Sequence, residues 1–200
     1  MKGSITIVAF FIAGILIARF IDIPSSVTGD KLTVYALYLL MFLVGISIGS
    51  DKKALQALRQ QDLKLVLVPL ATILGTLAGS VLISFALQGR SITDCLAVGA
   101  GFGYYSLSSI FITQYKGAEL GTIALVSNIM RELIALLAAP LLVRYFGKLA
   151  PISVGGATTA DTTLPIITKF SGKEFVIISI IHGITVDLSV PFLVTFFCTI

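Results

Sequence analysis

Residues 65–87 read LVLVPLATILGTLAGSVLISFAL, and this run decides the fold class. It carries no charge over more than the roughly 20 residues needed to cross a hydrocarbon core of about 30 Å. Its apolar residues do not alternate with polar ones as they would on a lipid-facing β-strand, so a β-barrel is excluded. In lipid every backbone N–H and C=O needs a partner within its own segment, so the run is a helix.

Working outward, similar runs give seven candidate spans, at 4–21, 32–49, 64–87, 92–113, 120–145, 151–168 and 174–199. Composition agrees: 56% of the 200 residues are hydrophobic and 12% charged, with a mean hydropathy of +1.03. A soluble domain carries about 25% charged residues. The expected fold is an all-α integral membrane protein with a single transmembrane transporter domain over 1–200, because no linker or composition break divides it. The run at 5–20 has neither a basic cluster before it nor a small-x-small cleavage site after it, so it reads as the first span rather than a signal peptide.

The formal net charge of +4 does not point to nucleic acid, because most of the basic residues lie at span ends. Lys52, Lys53, Arg59 and Lys64 form the strongest basic loop, which tends to stay cytoplasmic. That places the N-terminus in the cytoplasm and the C-terminus in the periplasm. Lys116, Lys169 and Lys173 then fall inside, and Arg19, Lys31, Arg90, Arg144 and Lys148 outside. Within 51–64, Leu55 and Leu58 stand at helical spacing, as in a short interfacial helix. Asp51 reads as an interfacial charge. Cys95 and Cys198 read as buried thiols, since neither disulfide nor metal spacing surrounds them. No cofactor or metal is expected.

Two candidate spans depart from an ordinary lipid-facing helix. The fourth contains Gly99, Gly101 and Gly103 followed by Tyr104, Tyr105, Ser106, Ser108 and Ser109. The sixth contains Gly155 and Gly156, four threonines, Asp161 and Pro165. Irregular backbone at membrane depth is tolerated only where it is buried in protein or lines a wet cavity, and paired interruptions mark transporter binding sites. Close packing through small residues is the competing reading. Both spans are expected to be interrupted helices.

Charges within spans sharpen the site. An acid at mid-membrane costs roughly 2.5–3.5 kcal/mol on insertion scales, so Asp161 is a functional candidate. Thr158, Thr159, Thr162 and Thr163 are placed to donate hydrogen bonds to it. In the fifth span the i,i+4 pairs Ser127–Arg131 and Asn128–Glu132 form a polar stripe. Arg131 would meet Asp161 or a solute carboxylate, or lock helices together in an ion pair. His182 and Asp187 lie about 140° apart round one helix, so they are not an intrahelical pair. His182 could shuttle protons, although a lone His in an apolar helix is more often a packing residue. A paired-acid intramembrane enzyme is a remote alternative, and no nucleotide, zinc or nucleophile motif is present, so the chain is not read as an enzyme.

Gly101-Phe-Gly-Tyr-Tyr-Ser-Leu-Ser-Ser109, Asn128-x-x-Arg-Glu-Leu-Ile134, Gly156-Ala-Thr-Thr-Ala-Asp-Thr-Thr-Leu-Pro165, His182-Gly183 and Pro191 occur here in this order. In these motifs and their spacing the chain resembles the LysO-type lysine exporters of bacteria. The resemblance implies export of L-lysine and its toxic analogue thialysine across the inner membrane, with the family's intramembrane aspartate falling on Asp161. It also implies an inverted-repeat fold in which about three further spans, carrying a motif like Gly45-Ile-Ser47, precede the part seen here. A short membrane partner or self-association would then complete the path. Proton coupling is expected, with Asp161 or Glu132 as carrier. A cation/proton or organic-solute antiporter and a non-catalytic subunit of a split transporter are the alternatives.

Overall fold

The computed structural model describes residues 63–87 and 89–200, together with isolated helical positions at 16, 17, 19, 20, 35, 39, 42, 46 and 50. Those positions apart, the first two expected spans lie outside the described residues, as does most of the interfacial helix at 51–64. The chain divides into two compact units, Met1–Ser50 and Asp51–Ile200, and the second carries every candidate site residue.

Among the described residues the second unit is helical and contains no strand. Its elements are α1 (Leu63–Ser84), α2 (Ile92–Gly99), α3 (Tyr105–Lys116), α4 (Ala118–Phe146), α5 (Ala150–Gly155), a 3-10 turn at Gly156–Ala160, α6 (Leu164–Phe170), a second at Lys173–Phe175, and α7 (Val176–Thr199). Three stretches are long and apolar enough to cross a membrane: Leu67–Ser84, Ala118–Phe146 and Lys173–Thr199. They match the third, fifth and seventh expected spans.

Burial follows the logic of a lipid-embedded bundle. On α4 the small residues Gly121, Ala124, Ala135 and Ala139 face inward, while Val126, Met130, Leu137 and Leu141 are exposed. Small inward residues let backbones approach where no hydrophobic force separates protein from lipid tails. At Gly121 an added Cβ would strike the Thr113 side chain, so α3 lies directly against α4.

The fourth and sixth candidate spans are interrupted as expected, but they do not cross. Lys116 Nζ at the end of α3 lies 3.5 Å from Asp94 Oδ1 at the start of α2. Arg90, just before α2, pairs with Glu119 at the start of α4. A straight helix would separate positions 94 and 116 by about 33 Å, at 1.5 Å per residue. The segment therefore enters, turns at Ala100–Tyr104 and returns to the end it came from. The sixth candidate does the same from the other end. Lys148 Nζ, just before α5, sits 3.0 Å from Glu174 Oε1, just after α6, and 5.5 Å from the Phe175 ring centroid. The expected count of seven crossings thus loses two, because each apolar run consists of two half-length helices joined by a Gly- or Thr-rich tip.

This also redistributes the charges. Arg90 and Lys116, expected on opposite faces, share one end of the bundle. Arg144, Lys148, Lys169 and Lys173 share the other.

The two tips meet. The Ala157 N–H donates to the Phe102 carbonyl at 2.9 Å. Phe102 is fully buried and its φ is +44°, an uncommon conformation for a residue with a Cβ. Gly156 has φ +63° and ψ −129°, and a Cβ there would run into the Phe102 carbonyl. In a background lacking Cys95 and Cys198, single cysteines at Ser91 and Ala118 should react with an impermeant thiol reagent from one face, and those at Lys148 and Lys173 from the other. Labelling of 91 and 118 from opposite faces would refute the re-entrant turn. Gly156→Ala should destabilise the detergent-solubilised protein by about 1–3 kcal/mol, read as a lowered Tm, through backbone strain and the clash at the tip contact.

Candidate transport site at the hairpin tips

The tips lie at mid-length of the through helices, where unwound backbone must find partners inside the protein. Helix α4 supplies two, one turn apart. Asn128, 3% exposed, accepts the Gly103 N–H at Oδ1 (2.7 Å) and donates from Nδ2 to the Val98 carbonyl (3.3 Å). Arg131 donates from Nε to Val154 O (2.8 Å) and from Nη2 to Ser153 O (2.9 Å). These carbonyls lie at the C-terminal end of α5, where helix geometry leaves them without partners and the dipole favours a cation. Arg131 Nη1 reaches Thr76 Oγ1 of α1 at 3.3 Å, and the guanidinium carbon lies 5.9 Å from the Phe102 ring centroid. Among the described residues Arg131 therefore meets no carboxylate, Asp161 included. The carbonyls of the broken helix occupy it instead.

The threonines also turn away from Asp161. Thr158 Oγ1 contacts the Gly155 carbonyl (2.9 Å) and Thr163 Oγ1 (3.2 Å). Thr159 Oγ1 lies within 2.8–3.1 Å of Gly156 O, Ser179 O and His182 Nδ1. They are taken up in stitching the 3-10 turn and tying it to α7. Of the group, Asp161 receives only the Thr162 backbone N–H. His182, fully buried, has Thr159 on one ring nitrogen and Thr72 Oγ1 on the other at 2.9 Å. It bridges α1, α7 and the second tip, which is the geometry of a satisfied packing histidine. Gly183, one residue on, lets α7 lie directly against Ala160.

Three candidates share one electrostatic neighbourhood, although among the described residues no hydrogen bond joins them. Tyr104, half-buried at the first tip, lies within the electrostatic reach of both Asp187 and Asp161. Asp187, half-buried on α7 one turn beyond Gly183, lies within reach of Asp161. Asp161 itself is exposed, as are Thr162, Tyr105 and Ser106. Glu132 is half-buried on α4, and Ser127 is exposed there. Among the described residues none of Asp161, Asp187 and Glu132 forms an ion pair. The three pairs present, Arg90–Glu119, Lys116–Asp94 and Lys148–Glu174, all lie at the bundle ends.

The site also uses residues that the spacing arguments passed over. Thr72, Thr76, Ser80 and Ser84 recur every fourth residue on α1, and Thr72, Ser80 and Ser84 are buried. That i,i+4 stripe of hydroxyls was a readable sign that one face of α1 serves polar partners. The carbonyl acceptors for Arg131 had no such sign, since they belong to backbone.

The family description Lysine exporter LysO matches residues 8–198. The Escherichia coli K12 protein named Lysine exporter LysO is 35% identical over 163 residues, which is 82% of this chain and 54% of that protein. A Haemophilus influenzae protein, named provisionally as a lysine exporter, is 37% identical over 164 residues, which is 82% of this chain and 83% of its own length. The chain thus spans about half the length of the E. coli relative. No solved structure matches it. With the match running across nearly the whole sequence, the chain belongs to the lysine exporter LysO family, a family of membrane transporters and not of enzymes.

Proposed function

We propose that this chain forms the transport core of a secondary exporter of L-lysine and thialysine across the bacterial inner membrane. The observation that carries this reading is an electrostatic imbalance at mid-bundle. Asp161, Asp187 and Glu132 have no protein cation among the described residues, while Arg131 is committed to backbone carbonyls. Uncompensated acids at membrane depth are costly and mark pathways for cations or protons. Lysine brings two ammonium groups and one carboxylate. The ammonium groups suit Asp161 and Asp187, with Tyr104 in the same electrostatic neighbourhood. The N-terminus of α3, around Tyr105 and Ser106, offers free N–H groups and the positive end of a helix dipole to the carboxylate.

Exporting a net cation against an inside-negative potential costs about 2.3 kcal/mol per 100 mV, so inward protons drive it, with Asp161 or Glu132 as carrier. The lack of a protein cation at Asp161 and Asp187 among the described residues favours one further reading, a cation/proton antiporter, because an acid left without such a partner is free to take up a proton or a small cation. Opposed hairpins support an inverted-repeat arrangement, and a second copy or a short membrane partner is the expected complement. The charge distribution supports one orientation. Among the described residues Arg144, Lys148, Lys169 and Lys173 have Glu174 as the acid at the α5–α6 end, whereas Arg90 and Lys116 are balanced by Asp94 and Glu119 at the other. The α5–α6 end is then cytoplasmic and the C-terminus periplasmic.

Losing a charge-assisted contact costs about 1.5–3 kcal/mol, so Asp161→Asn should lower lysine efflux from loaded vesicles by roughly tenfold or more. The same variant should abolish thialysine resistance in an exporter-deficient host. Undiminished efflux at equal expression would remove Asp161 from the mechanism. A substrate panel in which sodium, and not lysine, is moved would select the antiporter reading.

A further inference from the structure

The contacts of α4 assign roles to Asn128 and Arg131 that differ from cargo binding. Each holds one hairpin. Asn128 grips the first tip through Gly103 N–H and Val98 O, and Arg131 grips the second through Ser153 O and Val154 O. They stand three residues apart, on one face of the helix. Between them the tips share the Ala157 N–H to Phe102 O bond. Arg131 adds a third tie, to Thr76 on α1, and packs beneath the Phe102 ring of the opposite tip.

We propose that Asn128 and Arg131 form a two-residue clasp that keeps the opposed tips in contact and so closes the path between the two faces, Arg131 being a positioning residue and not the reader of the cargo carboxylate. The guanidinium suits this role because its planar fork donates to two adjacent carbonyls at once while its third nitrogen reaches another helix. A lysine ammonium is a point charge and cannot reproduce that geometry. The acids are left to the cargo, and the clasp decides when the tips part.

The role of the clasp in transport rests on the lysine-export reading, so the test has one arm independent of transport. In a background lacking Cys95 and Cys198, cysteines at Phe102 and Ala157 are oxidised in membranes and cross-linking is followed by gel mobility. Arg131→Gln and Asn128→Leu should each slow cross-linking at least fivefold, and Arg131→Lys should not restore it. Unchanged cross-linking in both variants overturns the clasp. The second arm compares lysine with 1,5-diaminopentane, which has the same two amines and no carboxylate. Arg131→Gln should lower the maximal rate for both alike and leave the ratio of their KM values unchanged. A selective rise in the lysine KM of tenfold or more would make Arg131 a carboxylate contact and overturn the positioning role. Thr76→Val removes one tie and leaves the fork, so it serves in both arms if Arg131→Gln fails to accumulate. It should slow cross-linking about twofold with the KM ratio unchanged, and a selective rise in the lysine KM would again count against the proposal. A wild-type chain that moves neither amine would sink the lysine reading, while the cross-linking arm would still decide the clasp.

Discussion

Backbone that leaves helical geometry inside a membrane must be answered by protein, and this requirement organises the second unit. Two tips unwind at mid-bundle, exposing carbonyls at the ends of α2 and α5. Asn128 and Arg131 answer them from one face of α4. The threonines of the second tip answer their own turn, and Thr159 continues to His182 and Ser179 on α7. The side chains of Asn128, Arg131, Thr158, Thr159 and His182 are thereby accounted for. Among the described residues Asp161, Asp187 and Glu132 have no cationic partner, and the cargo proposed for this chain rests on that contrast.

Much of this was legible in the sequence. Run lengths and the charge deficit established an all-helical membrane protein, and the glycines at 99–103 and 155–156 located both interruptions. The motifs around Tyr104, Arg131, Asp161 and His182 pointed to the family. The turn-back was not legible. A run of about 20 apolar residues satisfies the length test whether it passes straight through or folds in half at a glycine. The deciding contacts, Lys116 with Asp94 and Lys148 with Glu174, join side chains 22 and 26 residues apart. A periodicity argument looks no further than one or two turns.

The misplacement of Arg131 has a related cause. Complementary charge made Asp161 its natural partner on paper. Helix ends, however, present acceptors without a residue name, and two carbonyls at a dipole terminus meet a guanidinium with better geometry than one distant carboxylate. The threonines around Asp161 misled in the same way. A hydroxyl in a tight turn finds a carbonyl three residues back before it finds a neighbouring carboxylate, as Thr158 and Thr159 do with Gly155 and Gly156.

The half-length hairpins also bear on how such a site could face both sides in turn. A straight span can expose a central acid only by moving as a whole. Here each hairpin is tied to its own end by ion pairs that are exposed or half-exposed, and exposed pairs hold weakly, at about 0–1 kcal/mol each. A further constraint is at the centre, where the tips share one backbone hydrogen bond and Arg131 holds the second tip by its fork while lying against the Phe102 ring of the first. The second tip is also held to α7, by Thr159 through Ser179 and His182 and by Gly183 against Ala160, so parting the tips has to loosen those contacts as well. Asp161 follows the 3-10 turn of the second tip and Asp187 stands on α7, so a movement of that tip relative to α7 would alter the spacing of the two acids without moving a whole span.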